Sequence, residues 1–127
     1  MDLVNDIQQL MNELSASIKL LRKNGNELAQ AESDYKICLR QEALKLRAEE
    51  NMPVTLINQI IYGVPEVAEK RLKRDIAQTM YNTNQEHINV TKLKLRLLEA
   101  QLNREWGSKE WNYIAKTNNT NYIKGIC

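Results

Sequence analysis

The 127-residue chain contains no phenylalanine, one histidine, two cysteines, two prolines and four glycines. Each scarcity excludes something. With proline only at 53 and 65, and glycine only at 25, 63, 107 and 125, long stretches contain no helix breaker. The lone His87, flanked by Asn84 and Glu86, has no second histidine or paired cysteine at ligand spacing, so no metal site is expected. Cys38 and Cys127 form neither a disulfide framework nor a zinc motif, and read as reduced thiols of a cytoplasmic protein. No apolar run reaches the length of a membrane span, and no N-terminal apolar segment resembles a signal peptide. There is no glycine-rich phosphate loop and no carboxylate pair set in a pocket. A non-catalytic protein without a cofactor is expected.

Charge of one sign is also missing. The net charge is +2, from 18 basic and 16 acidic residues. Residues 1–33 carry three basic and five acidic side chains, residues 34–50 four of each, and residues 66–106 eight and six. A protein that lives by neutralising phosphates usually shows a clearer basic stripe.

What is present is helix-forming. Leu3, Ile7, Leu10, Leu14, Ser17 and Leu21 follow alternating steps of four and three, the spacing of a coiled-coil seam. Asp2 suits the N-cap. Asn24-Gly25 could cap this helix, yet the series resumes at Leu28, Ala31, Tyr35 and Cys38 and drifts through Leu39, Ala43 and Leu46. One mid-helix glycine costs only about 1 kcal/mol against alanine. The first arm is therefore expected to run over residues 2–50, kinked or nearly continuous at Gly25.

Pro53 ends that arm, because the residue before a proline avoids helical dihedrals. In the stretch NMPVTLINQIIYGVPEV, Thr55 is expected to cap a short helix from Leu56 to Tyr62, with Gly63 ending it and Pro65 opening the next arm. That second arm, residues 65–106, would extend roughly 60 Å at the α-helical rise. Val67, Ala68, Leu72, Ile76, Met80, Thr83, His87, Val90, Leu93 or Lys94, Leu97 and Leu102 outline its apolar side. The prediction is an all-α, elongated antiparallel helical hairpin, coiled-coil-like, with a short helix at its tip (53–64) and a C-terminal tail (107–127). Such a hairpin has little interior, so self-association into a dimer or higher oligomer is expected.

Two surfaces stand out as candidates for binding another protein: the tip residues Ile57, Ile60, Ile61 and Tyr62, and the tail aromatics Trp111 and Tyr113. Burial of the tip under the arm ends is the competing account. Lys70, Arg71, Lys73 and Arg74, in EKRLKRD, are the candidates for contact with nucleic acid. Arg40, Lys45 and Arg47 lie towards the same end, but Glu42, Glu49, Glu50, Glu66, Glu69 and Asp75 offset them, which favours a solvated, salt-bridged surface.

The segment from Tyr35 to Trp106, through its LR…PVT…G…VA…R…D core and closing REW, resembles small helical proteins of phages and prophages from low-GC Gram-positive bacteria. That resemblance implies a cytoplasmic accessory protein of an infected cell and carries over no functional residue. Together these readings give a protein-binding accessory factor, for instance an inhibitor of a host defence enzyme. The alternatives are a nucleic-acid-binding replication or recombination factor, and an oligomer that sequesters a nucleotide.

Overall fold

The computed structural model describes residues 2–107. In chain order it holds α1 (Leu3–Glu49), α2 (Val54–Ile60), a 3-10 turn (Ile61–Gly63) and α3 (Pro65–Glu105). The all-α hairpin is present: two long antiparallel helices joined through a short one. The described residues form two compact units, one from residues 2–16 together with 88–107, the other Ser17–His87.

Local chemistry explains the boundaries. Asp2 caps α1, its Oδ1 accepting the Asn5 N–H at 3.2 Å. At the far end Asn51 adopts a left-handed φ of 49°, a conformation asparagine tolerates better than most residues. The Met52 N–H then folds back to donate to the Leu46 carbonyl at 3.3 Å, and Arg47 donates to the Met52 carbonyl at 3.0 Å. Pro53, not Thr55, is the N-cap residue of α2, and it offers no side-chain cap; its carbonyl accepts from Leu56 and Ile57. The expected Thr55 cap is therefore corrected: the helix starts two residues earlier, at Val54, and Thr55 lies inside it. Pro65 is the first residue of α3, where a missing N–H costs nothing.

Helix α1 passes through Gly25 without a break. A Cβ built there would lie 3.3 Å from the Tyr81 ring, so the glycine is where the ring of α3 approaches the backbone of α1.

In the Ser17–His87 unit the core sits at the tip. Tyr35, Ile57, Ile61 and Val67 are buried together, with Cys38, Leu39, Ala43, Leu46, Met52 and Val64 packed around them. Further along, the same seam turns polar: Ser17, Asn24 and Asn84 are buried. Asn24 Nδ2 donates to Asn84 Oδ1 at 3.0 Å, and Asn84 Nδ2 donates to the Ser17 carbonyl at 3.2 Å. In the other unit Leu3, Ile88 and Thr91 are buried, with Ile7, Leu10, Leu14, Leu95 and Leu98 half-buried. Among the described residues no buried side-chain nitrogen or oxygen lacks a hydrogen-bond partner.

Candidate interaction face

The α1 seam falls where its four-three spacing puts it, with Asn24 filling the step between Leu21 and Leu28. For α3 the expected apolar side is not the one that faces α1. Within the Ser17–His87 unit the inward row of α3 is Val67, Lys70, Arg74, Ala77, Tyr81 and Asn84. Leu72, Ile76 and Met80, expected to line the hairpin, are 59%, 54% and 55% exposed. Only Val67 of the expected line is buried in this unit, and Ala68 and Thr83 face outward too. The reason lies in α1. Its seam carries Tyr35 and Asn24, and these need polar or cationic partners on α3 more than they need leucines. Asn84 satisfies Asn24, and the Arg74 guanidinium stacks over the Tyr35 ring with its carbon 4.7 Å from the centroid. In the other unit Val90, Leu93 and Leu97 of the expected line are 46%, 52% and 60% exposed and Leu102 is half-buried, while Ile88 and Thr91 are buried.

Leu72, Ile76 and Met80 stand one helical turn apart and form a single outward ridge. Ile76 and Met80, with Asp75 and Thr79, line a shallow depression of about 240 Å³. Lys73 falls on the same side, three residues before Ile76. It also lines a second notch of about 200 Å³ with Lys70 and with Glu27, Gln30, Ala31 and Asp34 of α1. On α1 the row through that notch runs Glu27, Gln30, Asp34, Ile37, Gln41, Leu44, and it ends in two exposed apolar residues, Ile37 (52%) and Leu44 (69%). This side of the hairpin thus carries Glu27 and Asp34 on α1, and Lys70 and Lys73 on α3 with Glu69 paired to Lys73, beside exposed apolar residues of both helices.

The tip divides. Ile57 and Ile61 belong to the core, at 5% and 3% exposure, as the competing account of a buried tip expects. Ile60 and Tyr62 are exposed, as are Val54 and Leu56. Trp111 and Tyr113 lie outside the described residues.

The basic cluster spreads around α3 and is largely engaged within the chain. Arg74 stacks on Tyr35 and bonds Asp75 at 2.9 Å, Arg71 lies over the Tyr62 ring at 5.5 Å, and Lys73 pairs with Glu69 at 3.5 Å. Lys70 is half-buried in the notch. Cys38 is a half-buried free thiol. Among the described residues no group of three His, Cys, Asp or Glu side chains gathers to hold a metal, and no helix is long and apolar enough to cross a membrane.

What fold and face define together is a helical hairpin with an apolar, charge-edged side that its own helices leave open. Compared with protein-family models, with curated proteins and with solved structures, the chain finds no match.

Proposed function

We propose that this protein acts by binding protein, using the outward face of the hairpin and not a catalytic site. One observation carries the reading: α3 turns its more apolar ridge, Leu72–Ile76–Met80, to solvent, and its more polar row inward. Isolated exposed leucines are ordinary, but a ridge of three on one helix, beside Ile37 and Leu44, is the pattern of an anchor row for a partner helix. The exposed tip residues Val54, Leu56, Ile60 and Tyr62 are a second, smaller contact of the same kind. Inhibition of a host enzyme is the special case that the phage resemblance implies; the geometry adds no feature of its own to it. Nucleic-acid binding through Lys70, Arg71, Lys73 and Arg74 is less favoured, since a phosphate would have to displace the stacking and ion-pair partners of three of them.

A photo-crosslinker placed at position 76, with the polar position 82 as control, tests the reading. Adducts with a protein chain from 76 and none from 82 are expected. Equal labelling from both, or none, counts against it.

A further inference from the structure

The sequence holds one Asn-Gly pair, Asn24-Gly25, and the fold places it on the seam of α1. Every other asparagine is followed by a residue that carries a side chain. An asparagine before glycine readily loses its side-chain amide, because no Cβ on the following residue shields the attacking backbone nitrogen. The Gly25 nitrogen gives up its proton and bonds to Asn24 Cγ, the Cγ–Nδ2 bond breaks, and ammonia leaves. Water then opens the five-membered imide at either carbonyl, giving aspartate or isoaspartate. Solvent water is the one co-reactant, and nothing is oxidised or reduced. In the closed hairpin the first step is blocked three times over. Helical dihedrals hold the Gly25 nitrogen away from Cγ, and its N–H is committed to the carbonyl four residues back. Asn24 is 4% exposed, and its Nδ2 is anchored on Asn84 Oδ1 at 3.0 Å.

We propose that Asn24-Gly25 is a deamidation site gated by the fold: silent while the Ser17–His87 unit is closed, reactive when it opens, and locking it open once converted. The lock follows from the seam. An aspartate carboxylate at position 24 sets an acceptor against Asn84 Oδ1, where the amide had donated, and carries charge into a buried position. Asn84 cannot turn its amide towards that carboxylate without withdrawing Nδ2 from the Ser17 carbonyl, which it meets at 3.2 Å. Isoaspartate lengthens the main chain and breaks the helical ladder where Gly25 lies against the Tyr81 ring. A chain that stays open is therefore marked, and recloses poorly. The residues that hold the two helices in register are the ones that keep the site silent. This inference is independent of the protein-binding reading and of the outward ridge.

The test ages the full-length protein at mildly alkaline pH, in native buffer and in urea. Conversion of Asn24 is located by peptide mass spectrometry, with isoaspartate scored separately. It is expected to run at least about a hundredfold slower in native buffer than in urea, as for a group exposed only on opening. In urea, Gly25→Ala should slow it about tenfold, since the added Cβ hinders the attack. Chains converted in urea, separated by charge and refolded, should show an unfolding constant at least about tenfold larger than unaged chains. Gly25→Ala chains aged alike control for deamidation elsewhere. Converted chains that fail to refold, beside unconverted chains from the same urea that do refold, support the lock as well. Native conversion within a few-fold of the urea rate would remove the gate. Converted chains as stable as unaged ones would remove the lock, and either result overturns the proposal.

Discussion

In the Ser17–His87 unit, α3 has two sides, and their compositions are the reverse of what burial alone would choose. The inward row holds Lys70, Arg74, Tyr81 and Asn84 with only Val67 and Ala77 apolar, while the outward ridge holds Leu72, Ile76 and Met80. The difference teaches a division of labour. Adhesion inside the hairpin is concentrated at the tip, around Tyr35, Ile57, Ile61 and Val67. The Asn24–Asn84 layer suits alignment better than adhesion: sliding the helices by one heptad would set Asn24 against Ala77, which offers its amide no side-chain partner. The row Leu72, Ile76 and Met80 is left exposed.

The largest effect should come from breaking the adhesive region. Ile61→Ala, at 3% exposure, should cost about 3 kcal/mol by loss of buried methyl groups and the cavity left behind, read from urea unfolding. Ile57→Ala should behave alike, and neither loss depends on protein concentration. Next is the polar layer. Asn84→Leu removes the partner of the buried Asn24 amide and should cost about 1–3 kcal/mol. The double variant Asn24→Leu/Asn84→Leu should regain that loss or exceed the wild type, because two facing leucines need no partner. Its register should loosen, seen as cysteine pairs on α1 and α3 crosslinking one heptad out of step. A double variant as uniquely aligned as the wild type would remove the alignment role.

Smaller is Gly25→Ala. Alanine gains about 1 kcal/mol of helix propensity, against displacement of the half-buried Tyr81 ring that a Cβ would approach to 3.3 Å. A net stabilisation of about 0.5 kcal/mol is expected by thermal melting; a clear loss would mean the ring cannot move. Smallest should be the outward ridge. In dilute solution, Ile76→Lys/Met80→Lys should change stability by less than about 0.5 kcal/mol per site, since neither side chain packs within the hairpin.

Much of this architecture is legible in the residues. The run without breakers between Pro65 and Gly107, the Asp2 cap and the four-three series of α1 lead directly to the two arms, and Pro53 marks where the first one stops. The α3 seam is not legible in the same way. Hydrophobic periodicity picks out Leu72, Ile76 and Met80, and nothing in the spacing says whether a strong apolar row faces its own hairpin or another molecule. The missing signal was in α1. Asn24 occupies a seam position, so the facing helix is a natural source of its polar partner, and Asn84 heads a row at steps of three and four through Tyr81, Ala77, Arg74 and Lys70 to Val67. The tip illustrates the same limit on a smaller scale. Ile57 and Ile61 share one side of a short helix and go inward together, and the neighbouring Ile60 and Tyr62 then point out. The notch face depends on the register of α1 against α3, which composition does not contain.

Photo-crosslinking from position 76, beside position 82, tests the central claim most directly. The account predicts protein adducts from position 76 that are absent from position 82 and are lost when Leu72 and Met80 are replaced by lysine. Equal labelling from both positions, or none from 76, would contradict the outward ridge as the adhesive surface.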